Sequence, residues 1–400
     1  MTEAGGNEMR VRDHYYICGL VLFLATAPAI AQELIEVDDG TKRVHSQWLK
    51  ANHRPPIDYV AGKIREYPLV ILGERHQNQP MLTMIADNLG KFYDAGLRAI
   101  VLEMVGPTYD QQLEKLVTAE KFNRKTQLRI AGSSSWLVWN SKEQWDLLEA
   151  VWTWNRGLPK GAEPLRVVGM ADDRFDRISI WLHKMGKLKD AKKVAYVEKI
   201  FADPPDSEKF MAERVSMLVD AGTKTLVLVG YHHAFTRYHQ PVADRKTGKL
   251  RRELTRLGNI LRDKYEEKLF QLILHFPHES PKRSYPGYKG DAPVLHDYLE
   301  DLFEQAGASA GGFDLKDSPI GAMRDRRSYY FYFQPKYDLR DMADGYLFLG
   351  PLKDEPKCVC IKNFVSADIF AKNKYYFEVQ YGRKFESRKE LNEHICPDVE

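Results

Sequence analysis

The stretch Tyr67-Pro68-Leu69-Val70-Ile71-Leu72, followed at once by Gly73-Glu74-Arg75-His76, decides how the rest of the chain is read. Tyr67–Leu72 is an uncharged run rich in β-branched and aliphatic side chains. Such a run, too short for a helix, reads as a strand buried on both faces. Four further runs have the same character: Arg98–Met104, Arg166–Met170, Thr225–Gly230 and Lys268–His275. Helical periodicity lies between them. Pro80–Ala95 places Met81, Met84, Ile85 and Leu89 at helical spacing, and Ser207–Asp220 does so with Phe210, Val215 and Leu218. Ser141–Trp154 opens with a capping-box pattern, Ser141 and Gln144, and then sets Trp145, Leu148, Val151 and Trp152 on one stripe. Strands alternating with helices predict an α/β fold, a mostly parallel sheet flanked by helices.

Polar residues recur where these strands end. In an extended chain residues i and i+2 point the same way, so Glu74 and His76 converge beyond the first strand. The plainer reading of this turn is a polar loop with a salt bridge to Arg75. Glu103 is the one acid in the run Val101-Leu102-Glu103-Met104-Val105. A carboxylate there is costly to desolvate unless a partner meets it. Asp172 follows the third strand, either as a loop cap or as a site residue. His232 and His233 follow the fourth. Open α/β sheets bind ligands beyond the carboxyl ends of their strands, and all these residues fall on that edge.

Outside this core the signals are weaker. His296–Gln305 reads as helix. Ser328–Phe333 and Tyr346–Leu349 read as strands, and Lys374–Val379 as a lesser one. The basic stretch Arg237–Arg256 reads as a solvated excursion. Gly307-Ala308-Ser309-Ala310-Gly311 has the letters of a nucleophile elbow without the strand before it and the helix after it, so it reads as a loop. No His-Glu-x-x-His, Walker loop or Gly-x-Gly-x-x-Gly after a strand is present.

Composition narrows the class further. The chain has 400 residues, 59 basic against 56 acidic, and a mean hydropathy of −0.47. That excludes a polytopic membrane protein, and the near balance of charge gives no single-sign field for nucleic acid. A small-molecule substrate or ligand is the expected partner. At the N-terminus, Arg10 and Arg12 precede the uncharged run Tyr15–Ala31, which closes in Ala29-Ile30-Ala31. This is the pattern of a secretory signal peptide cleaved after residue 31, which predicts a periplasmic or extracellular protein with no stable membrane span after cleavage. Residues 32–400 read as a single α/β domain, with its core over about 66–352 and a C-terminal extension over 353–400. Cys358, Cys360 and Cys396 all lie in that extension. Export favours a disulfide from Cys396 to Cys358 or Cys360 over a zinc site of the three thiols with His394.

The motifs resemble a known superfamily. Leu72-Gly73-Glu74-Arg75-His76, with Asn78 and Pro80, is similar to the first motif of ChaN-like haem-binding proteins, which group with erythromycin esterases and Tiki proteases. Trp139, Glu143, Trp154-Asn155, Val167-Val168-Gly169, Asp172, Gly230-x-x-His233, Phe313-Asp314-Leu315 and Ala343-Asp344-Gly345-Tyr346-Leu347-Phe348 resemble the erythromycin esterase branch. Erythromycin esterases usually carry one more residue between the motif's Glu and His.

With the export signal read from the N-terminus, the resemblance implies an exported hydrolase-like protein that cleaves an ester or amide with activated water. His76 would be the general base, oriented by Glu74 or Glu103, with a pKa near neutral. His233 would stabilise the oxyanion or share a metal. Glu74, His76 and His233 also suit a divalent ion such as Zn or Mn, so metal-assisted and metal-free routes both stand. The rival reading is a binder of haem or another flat ligand in the same crevice.

Overall fold

A computed structural model describes residues 37–133, 139–202, 206–244, 247, 249–276, 295–324 and 328–397. The proposed signal peptide lies outside the described residues.

The strand-forming runs become a seven-stranded sheet. The strands are β1 (Leu69–Glu74), β2 (Ala99–Leu102), β3 (Arg166–Gly169), β4 (Thr225–Gly230), β7 (Leu269–Leu274), β8 (Gly311–Asp314) and β9 (Gly345–Phe348). A separate hairpin is made of β5 (Gln240–Ala243) and β6 (Leu250–Leu254). Sheet order is β3-β2-β4-β1-β7-β9-β8, parallel throughout except for β8, which runs antiparallel to β9. The mostly parallel α/β fold is the one the alternating pattern predicts.

Both faces of the sheet are covered, which is why its strands are continuously apolar. Along β1, Val70 and Leu72 join a core with Ile85, Phe92, Trp145 and Leu148. Leu69 and Ile71 face the opposite core with Met211, Val215 and Leu261. This is the period-two alternation of a strand. A third core, under β8 and β9, is aromatic and includes Phe303, Phe313, Tyr330, Phe331 and Phe348. Each fully buried large side chain contributes roughly 1.5–3 kcal/mol relative to exposure.

The chain leaves β1 through a tight turn at Gln77, whose φ of 65° is left-handed. Asn78 then caps the helix Gln79–Asp87, its Oδ1 accepting from the Met81 N–H at 2.9 Å. Capping of this kind satisfies one of the orphan amides of a helix start. The Pro80–Ala95 segment is two helices, Gln79–Asp87 and Leu89–Asp94, parted at Asn88.

Other expectations are corrected. Ser328–Phe333 is not a strand: Tyr329–Phe333 form a short helix that buries Tyr330, Phe331 and Phe333, the first two in the aromatic core. A run that is apolar on every side has no period to separate helix from strand. Lys374–Val379 lies inside the helix Ala367–Tyr381, started by Ser366 and ended by Gly382 at φ 66°. Arg237–Arg256 contains the β5–β6 hairpin, whose second strand is largely exposed. The capping box at Ser141 is not formed. Ser141 makes no capping bond to the helix Lys142–Gly157, and the Gln144 amide points to Met104 Sδ instead. Among the described residues, no helix is long and apolar enough to cross a membrane.

Candidate functional site

Register brings the strand ends level. Glu74 pairs with Gly230 across β1 and β4, and Leu102 pairs with Leu228 across β2 and β4. Glu74, Glu103 and the residues after Gly230 therefore share one edge of the sheet. Glu74 is 6% exposed, and its Oε1 lies 2.6 Å from His76 Nδ1. An ionised carboxylate only accepts, so the neutral imidazole carries its proton on Nδ1 and leaves Nε2 as the basic atom. No described residue hydrogen-bonds His76 Nε2. Trp139 packs edge-on against the ring at a centroid distance of 4.5 Å.

Burial pulls the His76 pKa down, but the Glu74 hydrogen bond and the charges of Glu74 and Glu103 outweigh it and raise the value to about 9. That differs from the near-neutral base expected from the sequence. Two carboxylates act on one imidazole: Glu74 by hydrogen bond and charge, and Glu103, the other partner expected from the sequence, by charge.

Glu103 turns to β4. Its Oε2 accepts from the Gly230 N–H at 2.7 Å, and its Oε1 lies 3.5 Å from His233 Nε2. His233 Nδ1 is 2.9 Å from Glu208 Oε2. Burial lowers the His233 pKa, and the Glu103 charge and the Glu208 bond reverse that, so the net shift is upward. Glu208 also receives Arg256 Nη1 at 2.7 Å and the Leu257 N–H at 2.9 Å. Burial opposes its ionisation, but His233 and Arg256 carry its pKa down to about 2.

Glu208 and Arg256 carry no distinguishing signal in the sequence. Glu208 sits in the first turn of the helix Ser207–Asp220, where an acid is commonplace, and Arg256 closes a basic stretch that reads as solvated.

Gly230 stands between the two histidines for a steric reason. A Cβ there would lie 2.8 Å from His76 Cε1 and 3.5 Å from Glu103 Oε2. Its backbone φ of −54° suits any residue, so the demand is for space. Glycine here allows close approach by a side chain from the neighbouring strand.

Two secondary candidates have other work. Asp172 is 1% exposed and receives Arg174 Nε at 2.8 Å, Arg174 Nη2 at 2.9 Å and Ser207 Oγ at 2.9 Å. It ties the end of β3 to the start of the helix that carries Glu208, so it positions the site from behind. His232 is engaged by the aromatic core, with Nε2 2.9 Å from the Tyr330 hydroxyl. Burial, then the Arg256 charge, lowers its pKa to about 3, so it stays neutral.

The expected metal set is not formed. Among the described residues, no three His, Cys, Asp or Glu side chains are arranged to hold a metal ion. Glu74 and His76 spend facing atoms on each other, and His233 lies between Glu103 and Glu208. Glu74, His76 and His233 therefore do not converge as ligands for Zn or Mn.

The C-terminal extension reaches the site. Lys357 bridges Asn78, and Cys360 bridges Ser141. The Val359 N–H donates to Glu143 at 3.0 Å, and the Ile361 N–H to the Asn140 carbonyl at 2.7 Å. Residues 357–361 thus run as a strap between the His76 loop and the segment after Trp139. Cys360 is joined to Cys396, with Cα atoms 5.7 Å apart, which anchors the strap to the last helix. The thiol of Cys358 donates to the Gln77 carbonyl at 3.3 Å, and burial, then Glu143, raises its pKa to about 12. His394 packs on Tyr381 and Phe385, away from any zinc role.

Fold and strand-end geometry together define an α/β protein with a paired carboxylate–imidazole site at the carboxyl edge of a parallel sheet. No family model matches the sequence, and no curated protein matches it. Among solved structures, a succinoglycan biosynthesis protein shares the fold, with a TM-score of 0.52 at 12% identity over 78% of this chain and 97% of that one. A Bacillus cereus protein aligns at TM-score 0.49 and 16% identity, over 76% and 96% of the two chains. A mutant of the erythromycin esterase EreC, in its open conformation, aligns at TM-score 0.45 and 13% identity, over 72% and 92%. At these identities the comparisons show a shared fold, and neither family, substrate nor cofactor follows from them.

Proposed function

We propose that the strand-end edge is the active site of a hydrolase-like enzyme that cleaves an ester or amide with activated water. The observation that carries this reading is the Glu74–His76 pair, 2.6 Å apart at the end of β1, with Nε2 left open. A positioned imidazole whose tautomer is set by a carboxylate is the arrangement general-base chemistry requires. Water gives its proton to His76 Nε2 as its oxygen attacks the carbonyl carbon. The tetrahedral oxyanion is met by His233 Nε2, on an imidazole whose pKa Glu103 and Glu208 raise against burial. Collapse expels the alcohol or amine, which takes the proton back from His76. No step is assigned to a metal.

The test is hydrolysis of p-nitrophenyl acetate by purified protein, with His76→Ala as control. Activity lost in His76→Ala and in Glu74→Gln supports the reading, and full activity in His76→Ala overturns it.

A second reading is haem binding, favoured by the same open Nε2. An imidazole held at Nδ1 by a carboxylate and flanked by Trp139 is also how an axial ligand is presented. Titration with haem separates the two: a Soret band lost in His76→Ala supports the binder. We propose in addition that the protein is exported and begins at Gln32. An intact mass from the native host that retains Met1 or Met9 contradicts this.

A further inference from the structure

Beside the histidines lies a cleft of about 230 Å³, lined by Glu103, Arg177, Ile180, Trp181, Glu208, Met211 and His233 among others. Its charges can be accounted for one by one. Glu103 is held by the Gly230 N–H and faces His233. Glu208 is held by His233, Arg256 and the Leu257 N–H. Asp172, behind the cleft, is held by Arg174 and Ser207. Asp176, the neighbour of Arg177 in the chain, caps Ser179 and lies 3.5 Å from Lys193. Arg177 is the exception. Its Nε donates to the Asp172 carbonyl at 2.8 Å, which fixes the guanidinium plane, and no described carboxylate pairs with its two terminal nitrogens. Ile180 and Trp181, one turn on from Arg177 in the helix Arg177–Lys184, and Met211 give the cleft apolar lining, and Trp181 is held by an edge contact to Tyr376 at 5.2 Å.

We infer that this cleft is a substrate subsite for an apolar group ending in a carboxylate, with Arg177 as its specificity-determining residue. A guanidinium with one edge already anchored presents its remaining donors in a fixed fork that matches a carboxylate in two bonds. An apolar wall with one or two placed polar groups is the usual composition of a small-molecule site. His233 and Glu103 line the same cleft, so a ligand seated on Arg177 extends toward the reacting edge. The inference rests on the hydrolase reading only for which bond is cleaved. Recognition of the carboxylate is independent of it.

The test is therefore a binding measurement. Benzoate and its neutral counterpart benzamide are titrated into the whole protein, followed by the Trp181 indole N–H resonance, which Trp181→Phe assigns. Benzoate should shift that resonance, and benzamide should bind at least ~10-fold more weakly, the scale set by a charge-assisted pair. Arg177→Gln should weaken benzoate roughly 10-fold or more and leave benzamide unchanged, while Arg177→Lys recovers part of the loss. If Arg177→Gln fails to fold, Ile180→Glu places a carboxylate in the cleft and should abolish benzoate binding. Benzoate binding that survives Arg177→Gln or Ile180→Glu, equal affinity for benzamide, or no benzoate binding by the native protein overturns the subsite. An active His76→Ala enzyme that still binds benzoate through Arg177 overturns only the hydrolase reading.

Discussion

His76 occupies the space into which a side chain on Gly230 would project: a Cβ at residue 230 would stand 2.8 Å from His76 Cε1 and 3.2 Å from Nε2. The two residues lie at the ends of parallel strands β1 and β4 and meet only because the register sets Glu74 level with Gly230. Gly230→Ala should therefore leave the fold intact and displace the imidazole. A misplacement of about 1 Å at a reacting group can cost on the order of 10²-fold in rate. Ester hydrolysis should fall on that scale while the thermal midpoint stays within a few degrees of native. Unchanged activity would mean that His76 Nε2 does not touch the reaction.

The acidity of His76 supplies a second expectation. Its pKa rises from 6.5 to about 9 on folding, through Glu74 and Glu103 acting against burial. A group whose folded value is raised contributes stability that is fully present below its unfolded pKa and lost as pH rises through the folded one. The destabilisation caused by Glu74→Gln should thus be largest below about pH 6.5 and shrink as pH approaches 9. Urea unfolding of native and variant protein across that range checks it. The base form of His76 also appears only on the alkaline side, so hydrolysis should climb toward pH 9. The limb should move to lower pH in Glu74→Gln, in whatever activity remains.

Cooperation between the two histidines is the third expectation. His76→Ala and His233→Ala should each cost roughly 10²-fold or more in hydrolysis, the usual scale for acid–base groups. Groups that act as a unit are not additive, so the double variant should be little worse than either single one. Ser309→Ala should be silent, because Ser309 is exposed in the loop before β8, three strands away from β1 in the sheet. An inactive, folded Ser309→Ala would restore a serine nucleophile.

The strap gives the fourth. The Cys360–Cys396 link spans 36 residues. In the chain-entropy model such a closure stabilises by roughly 3–4 kcal/mol. Cys396→Ser should lower the thermal midpoint, and it should free residues 357–361 from Asn78 and Ser141, seen as new proteolytic cleavage there. Peptide mapping without reductant should pair Cys360 with Cys396 and leave Cys358 as a thiol. A Cys358–Cys396 peptide would contradict the strap.

The last contrast concerns what could be read without the fold. Tyr67–Leu72 and the four similar runs determined the parallel sheet by themselves, because a strand covered on both faces must be apolar at every position. The same logic placed Glu74, His76, Glu103 and His233 on one edge, since parallel strands all end on the same side. Cys396 was likewise marked for a partner in the extension, with the choice between Cys358 and Cys360 left open. Tertiary structure decided the rest. Ser328–Phe333 could not declare itself helical, because its burial comes from an aromatic core assembled by distant segments. Asp172 and His232 shared the strand-end signature yet turned to Arg174 and Tyr330, since direction depends on the local backbone and on which partners packing brings near. Glu208, Arg256 and Arg177 carried no sequence signal, being ordinary charges on helix starts and loops. They matter because the folded chain brings Glu208 and Arg256 around His233 and sets Arg177 in the same cleft, and a hydrogen bond or ion pair exists only at contact distance.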